Sequence, residues 1–121
     1  MQKIKTIPLS EIRNSLPKFR RQVQLGNIII LPTFYGDVVG VFVNLSSAEN
    51  LSIKTSTQLS IGEFRTNITQ CWERLQAELD CFYLTSHLRM VMAFVSPKYI
   101  LDLKIDLPIN ILDCGLSVTQ P

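Results

Sequence analysis

The chain has 121 residues, of which 46% are hydrophobic and 18% charged, a composition typical of a globular protein and not of a disordered one. Its net charge of +2 is too small to indicate a partner, and no apolar run approaches the roughly 18 residues of a membrane span. The N-terminus lacks the apolar segment of a signal peptide, so we expect a cytoplasmic protein. Three cysteines without a C-x-x-C pair and a single histidine favour neither a disulfide framework nor a metal site, and we predict no cofactor.

The first strongly periodic element is a predicted helix that starts near Ser10 and ends near Gly26. Its apolar residues recur at spacings of four, three and four, which is the stripe of an amphipathic helix. They are Ile12, Leu16, Phe19 and Val23. Ser10 is a good N-cap residue, and Gly26 is a good residue to follow the last turn. Pro17 predicts either a kink or a short turn followed by a new helix start.

A hairpin and a short helix are predicted next. Residues 28–31 form a strand-like run, residues 34–37 contain a Gly-Asp turn signal, and residues 38–43 are rich in β-branched and large apolar side chains. Residues 46–51 fit a short helix, and residues 52–57 are the predicted linker.

The chain repeats this pattern at an offset of 52 residues without a gap. Thr33 falls on Thr85, and the helix stripe returns with the same spacings. Its second set of positions is Phe64, Ile68, Cys71 and Leu75. Thr69 stands where the first copy has Pro17, so the second helix is expected to be straighter. The other elements of the second copy are a strand over 80–83, a turn over 86–89, a strand over 90–95, and a short helix that starts at Ser96-Pro97 and covers 98–101.

Each copy of roughly 50 residues buries too little surface to be stable alone, so we predict that the two share a core. The expected fold class is α+β, with two strand–helix–hairpin–short helix units paired about a pseudo-twofold axis and their hairpins in one antiparallel sheet. Such a chain is a homodimer fused into one polypeptide. The predicted units are residues 1–52 and 57–102, followed by a C-terminal tail over 103–121.

The first unit resembles the Phd/YefM family of antitoxins, beginning with Ser-Glu-x-Arg-x-x-Leu at residues 10–16. The matching segments are residues 7–17, 29–33, 38–43 and 46–51, with Val23, Gly26 and Gly36. The second unit looks like a diverged copy, so the resemblance covers about residues 5–102. It implies a dimer joined through its sheet, binding of the operator beside the antitoxin's own gene, and a C-terminal extension that blocks a toxin, often a ribonuclease.

Two features depart from the family pattern. Phe34-Tyr35 and Ser86-His87 follow the hairpin threonines, where the family often has basic residues, which puts a phosphate or base contact in doubt. Only 19 residues follow Asp102, whereas the toxin-binding tail of the family is long and polar.

The resemblance assigns Arg13 and Arg65 to the position of the family's DNA-facing arginine, where a guanidinium binds phosphate or guanine bidentately. Lys18, Arg20 and Arg21 add positive charge on the same predicted helix as Arg13. The first 52 residues carry a net charge of +3 against −1 for the rest, which favours the first unit as a DNA contact. The alternative is that these are solvated helix side chains paired with nearby acids.

Structural roles account for the other conspicuous residues. Trp72, beside the second stripe, is expected in the core or at an interface, Cys71 as a small buried hydrophobe, and His87 as a turn residue. Glu11 and Glu63 lie in the first turns of helices, where the helix dipole favours a carboxylate. No constellation of residues supports catalysis, so we predict that the protein is not an enzyme.

The tail alternates apolar and charged residues over 103–107, which predicts a strand, and Pro108 then interrupts it. We expect it to dock on a protein partner, for instance by adding a strand to a sheet edge, or to close over the chain's own core. The predicted partner-binding residues are Leu103, Ile105, Leu107, Ile109, Ile111 and Leu112.

The leading hypothesis is an antitoxin of a toxin–antitoxin system, which binds operator DNA as a transcription repressor of its own gene and neutralises a protein partner. The alternative is a protein-interaction module, an inhibitor or assembly subunit that kept the fold and lost DNA binding. The identity of the partner, the operator sequence and self-association beyond the intrachain pair stay open.

Overall fold

The structure is a computed structural model that describes residues 3–103, and it has a mixed α+β fold built on one open sheet of seven strands. The strands are β1 (Lys3–Pro8), β2 (Ile28–Phe34), β3 (Asp37–Val38), β4 (Val41–Val43), β5 (Ser56–Ser60), β6 (Cys81–Ser86) and β7 (Arg89–Val95). The helices are α1 (Leu9–Asn14), α2 (Leu16–Gln24), α3 (Leu45–Glu49), α4 (Ile61–Thr66) and α5 (Ile68–Ala77), with 3-10 turns at Pro97–Tyr99 and Leu101–Leu103.

The strand order is β1-β2-β4-β7-β6-β5, with β3 paired to β2. The outer pairs β1–β2 and β5–β6 are parallel, and all other pairs are antiparallel. The sheet is therefore mixed and not antiparallel throughout as predicted, because a helix connection joins each outer strand to its neighbour. In the middle of the sheet β4 pairs with β7, and Phe42 lies opposite Phe94. One continuous sheet therefore contains both predicted hairpins and joins the first half (residues 3–52) to the second half (residues 53–103).

The register of the outer pairs repeats at the offset of 52. Pro8 lies opposite Thr33 in β1–β2. Ser60, which is 52 positions after Pro8, lies opposite Thr85, which is 52 positions after Thr33. Equivalent strands of the two halves thus pair with equivalent neighbours in the same register.

Both faces of the sheet are covered. The apolar stripes of α1, α2, α4 and α5 pack on one face, and α3 with the first 3-10 turn packs on the other. Alternation along the strands separates the two cores: Ile30 and Phe42 face the first, whereas Ile29 and Leu31 face the second. Within residues 3–103 no helix is both long enough and apolar enough to cross a membrane.

Three phenylalanines meet where β4 pairs with β7. The rings of Phe42 and Phe94 stack with centroids 4.6 Å apart, and Phe64 meets both edge-on at 5.7 and 5.1 Å. A Cβ atom on Gly40 would lie 2.2 Å from the ring of Phe94, so only glycine leaves room for this ring. The strand predicted over 38–43 is interrupted before Val41 and forms β3 and β4.

Both long helices are broken into two. In the first half the break falls at Ser15, and Pro17 lies in the first turn of α2, so the predicted new helix start is correct. In the second half Asn67 breaks the helix with nearly the same backbone angles, and its side chain donates to the carbonyl of Glu63 at 3.0 Å. The straighter helix predicted from Thr69 is therefore wrong. The break therefore recurs without proline, at a residue whose side chain hydrogen-bonds the preceding turn.

The helix N-termini differ between the halves. Ser10 lies inside α1 and does not cap it; Pro8 occupies the N-cap position, because β1 runs directly into the helix. Ser60 caps α4, since its Oγ accepts a hydrogen bond from the Glu63 amide at 3.1 Å.

The boundaries of other elements also differ from the predicted ones. Helix α2 ends at Gln24, and Asn27, not the glycine before it, adopts the left-handed conformation with φ of 53°. The predicted linker is shorter, because β5 already begins at Ser56. Leu103 lies in a 3-10 turn and packs beside the second core, so the strand predicted over 103–107 is wrong at its first residue.

Asp80 fastens the linker to the sheet. Its Oδ2 accepts hydrogen bonds from the amides of Lys54 (3.0 Å) and Thr55 (3.3 Å), and its Oδ1 pairs with Lys98 Nζ at 2.5 Å. Burial of Asp80 favours the neutral acid, but the hydrogen bonds from Lys98 and the Lys54 amide outweigh it and hold the carboxyl pKa at about 2.

Gly40→Ala is expected to lower the free energy of unfolding by about 1–3 kcal/mol, because the added methyl group overpacks against Phe94. Gly62→Ala is the matched control: its Cβ meets nothing within 4 Å, so alanine in this helix should stabilise by up to about 1 kcal/mol. Urea unfolding of both variants measures the difference, and equal destabilisation would contradict the packing argument.

The ionisation of Asp80 should make the free energy of unfolding depend on pH. Because its folded pKa lies below the unfolded value of about 3.9, it stabilises the fold by about 2 kcal/mol above pH 4, and this contribution disappears as the pH falls towards 2. Urea midpoints measured between pH 5 and 2 test this. Asp80→Asn should be less stable at pH 5 and should lose less stability on acidification than the parent; equal losses in the two proteins would exclude Asp80 as the cause.

Candidate functional site

A groove of about 870 Å³ opens on the face of the sheet that α1, α2, α4 and α5 cover. It is formed by α1, the end of α4, the start of α5 and the tip of the first hairpin. We call it the arginine groove. Its lining residues are Pro8, Leu9, Ser10, Arg13, Asn14, Thr33, Phe34, Tyr35, Arg65, Thr66, Ile68 and Thr69. Among the described residues this lining includes two arginines and no carboxylate, which gives it a positive charge.

The structure brings Arg13 and Arg65 together. Arg65 Nε donates a hydrogen bond to the backbone carbonyl of Arg13 at 3.1 Å, and its terminal guanidinium nitrogens have no hydrogen-bond partner among residues 3–103. Among residues 3–103 no acid forms an ion pair with either side chain. The alternative of solvated helix side chains stays open, since both arginines are exposed.

The sequence around each arginine explains its exposure. Arg13 follows Ile12 and Arg65 follows Phe64, and both apolar residues are fully buried against the sheet. Each buried residue fixes its short helix, so the next side chain points away from the core into solvent. The two helices then meet at their C-terminal ends, which is why equivalent arginines face one groove.

Lys18, Arg20 and Arg21 lie on α2 and are not among the lining residues of the groove. The prediction that they share a helix with Arg13 is wrong, because the break at Ser15 separates them. Lys18 lies over the ring of Phe19 at 5.3 Å, and Arg21 is exposed. Arg20 is half-buried, and its enclosed Nε has no hydrogen-bond partner in the described part of the chain.

Aromatic side chains form one wall of the groove. Phe34 contacts Tyr35 with ring centroids 4.5 Å apart and Trp72 at 5.5 Å, so the first hairpin tip rests on α5 of the other half. Trp72 is partly buried, as predicted for an interface residue, and its indole N–H has no partner within residues 3–103. The sequence marked Phe34 and Tyr35 only as departures from a family pattern, and nothing in it indicated the contact across the halves.

Both hairpins end in two-residue turns with positive φ at each position, the arrangement of a type I′ turn. The first has Tyr35 and Gly36 at φ of 52° and 84°, and the second has His87 and Leu88 at 52° and 66°. Tyr35 is 92% exposed and Leu88 is 99% exposed. Glycine is the usual residue for such a conformation, and a leucine at the second tip was not expected from local sequence pattern.

The remaining polar chemistry is limited. Burial raises the thiol pKa of Cys71 to about 11 and that of Cys81 to about 12, so neither is a thiolate near neutral pH. His87 is exposed in its turn. Across residues 3–103 no group of three His, Cys, Asp or Glu side chains is arranged to hold a metal ion.

Of the six predicted partner-binding residues, Leu103 alone belongs to the described chain, and it is partly buried beside the second core. The other five lie outside the described residues. They are Ile105, Leu107, Ile109, Ile111 and Leu112.

No protein-family model matches the chain, and comparisons with curated proteins and with solved structures find no match. The resemblance to the Phd/YefM antitoxins therefore stays a prediction that rests on the residues quoted for it. The geometry of the groove is the independent observation on which a functional proposal can be built.

Phe34→Ala should expose Trp72, the only tryptophan, and shift its fluorescence emission to longer wavelength. Loss of the ring pair should cost about 0.5–1.5 kcal/mol of stability. Leu25→Ala is the matched control, because this exposed leucine follows α2 and does not line the groove. An unchanged emission spectrum in Phe34→Ala would show that the hairpin tip does not shield the indole.

Proposed function

We propose that the chain is a cytoplasmic, non-enzymatic DNA-binding autoregulator made of two fused Phd/YefM-like units, which also neutralises a protein partner. The observation that carries the DNA-binding role is the convergence of Arg13 and Arg65 in one groove, whose lining within residues 3–103 contains no carboxylate. Two guanidinium groups that have no acidic partner in this part of the chain and face the same open space favour an anionic ligand, since without one they repel each other.

The pairing in the middle of the sheet supports the fused-dimer part of the proposal. Val41 lies opposite Val95, and Val43 lies opposite Ala93. Because Ala93 and Val95 are 52 positions after Val41 and Val43, each contact is repeated with the roles of the halves exchanged. This reciprocity is what a twofold axis imposes on a dimer interface.

Duplex DNA is the anion that fits the groove best. Proteins bind the phosphates of a DNA backbone with arginine, with hydroxyl groups and with side-chain amides. In the groove Ser10 and Thr33 supply hydroxyl groups, and Asn14 supplies an amide, beside the two arginines. The hydrogen bond from Arg65 to the Arg13 carbonyl joins equivalent residues of the halves. A binding surface centred on such a contact matches the dyad of a DNA site.

The partner role rests on the tail. Six aliphatic side chains fall within residues 103–112, and docking half of them would contribute several kcal/mol at about 1.5–3 kcal/mol for each fully buried side chain. The family resemblance makes a toxin the expected partner.

The second candidate function is a protein-interaction module without DNA binding. The observation that favours it is the exposure of large apolar side chains at both hairpin tips, Tyr35 and Leu88. In that case the groove and tips would contact a protein surface, and binding would depend weakly on salt.

Binding to the duplex upstream of the protein's own gene, measured by fluorescence anisotropy at increasing salt, tests the proposal. The dissociation constant should rise steeply with salt, because phosphate contacts release counterions. Arg13→Ala and Arg65→Ala should each weaken binding at low salt and reduce the slope of log K against log salt by about 0.9.

Lys3→Ala is the matched control, because it also removes one positive charge. Lys3 lies at the end of β1 away from Pro8, about 17 Å from the groove at 3.3 Å per residue, so this variant should bind DNA as the parent does. If both arginine variants bind like the parent at every salt concentration, the groove is not the DNA site. If the parent fails to bind at low salt, the interaction module is the better description.

A further inference from the structure

We infer that this face recognises an asymmetric duplex DNA site, with the first hairpin tip (Phe34–Asp37) reading one end and the second hairpin tip (Ser86–Arg89) reading the other. The inference rests on the proposed DNA-binding function and specifies the kind of site. It follows from where the tips lie and from how their chemistry differs.

The two tips lie at opposite ends of the sheet. Strand β2 is antiparallel to β4, β4 to β7, and β7 to β6, so β2 and β6 run in opposite directions. Each tip follows the end of one of these strands. The Arg13–Arg65 contact joins equivalent residues of the halves and therefore lies at their axis, between the tips.

The first tip offers an aromatic surface. Tyr35 is 92% exposed and lines the groove beside the two arginines, and Phe34 holds it in place by packing on Trp72. A tyrosine in this position can make ring contacts and donate or accept a hydrogen bond at a base edge. Asp37, the residue after the turn, adds a carboxylate that repels phosphate and accepts hydrogen bonds from the amino group of cytosine.

The second tip offers different groups at the equivalent positions. Leu88 stands where the first tip has Gly36, and Arg89 stands where it has Asp37. Leu88 is 99% exposed, so its side chain packs against no other residue of the described chain. Its backbone has φ of 66°, a conformation that leucine rarely adopts, and packing does not explain it. Such a leucine suits the thymine methyl group or a wedge between base pairs, and Arg89 suits phosphate or guanine.

A homodimer presents two identical tips and so selects an inverted repeat. In this chain one tip carries Tyr35, Gly36 and Asp37, whereas the other carries His87, Leu88 and Arg89 at the equivalent positions. The two halves of the preferred DNA site must therefore differ, although the central arginines treat them alike.

The experiment is selection of binding sites from a random duplex library by the purified full chain at low salt, followed by the same selection with Tyr35→Ala and Leu88→Ala. The parent should enrich a motif without twofold symmetry. Each variant should lose the base preference at one end of the motif, and the two variants should affect opposite ends. At the affected positions a preference of about tenfold for one base should fall to within about threefold. Both side chains are exposed, so the variants should keep the parent's circular dichroism spectrum and melting temperature.

Leu25→Ala is the control, because it removes an exposed leucine that belongs to neither tip, and it should enrich the parent's motif. A palindromic motif, or variants that alter the same end, both ends or neither, would overturn this inference while leaving DNA binding intact. Absence of salt-dependent binding to any duplex would overturn the proposed function and this inference together.

Discussion

The pairing of β4 with β7 is the interaction on which the rest of the structure depends. It consists of three residue pairs with Phe42 opposite Phe94 at the centre, and Phe64 closes over both rings. Without this pair each half would be a small sheet with two unpaired edges, the outer strand and the newly exposed β4 or β7. Each half would then bury too little apolar surface to stay folded. The groove depends on the same pairing, because its two arginines come from different halves.

Much of the fold could be predicted because apolar periodicity reports burial. The stripe through Ile12 and its repeat through Phe64 predicted the helices and their buried faces, and the offset of 52 predicted that two hairpins share one sheet. Pro17 indicated the helix break at Ser15, whereas the break at Asn67 could not be predicted in the same way. A sequence shows proline, but it does not show the bend that two helix segments need in order to follow a twisted sheet.

The candidate site was predicted less completely. The resemblance singled out Arg13 and Arg65, but their convergence depends on a contact between residues 52 positions apart, which no local pattern encodes. The same local reasoning grouped Lys18, Arg20 and Arg21 with Arg13, and the break between α1 and α2 separates them. Leu88 went unnoticed because a leucine in a glycine-type turn position has no sequence signature.

The covalent link between the halves has a consequence for how the protein behaves on dilution. Residues 52–55 join the halves, and Asp80 ties this segment to the sheet at Lys54 and Thr55. Two separate chains would have to find each other, so their folded fraction would fall with protein concentration. Here the association is intramolecular, with an effective concentration set by the short connection. The pairing of the two halves therefore does not depend on protein concentration, and a substitution in one half is not automatically copied into the other.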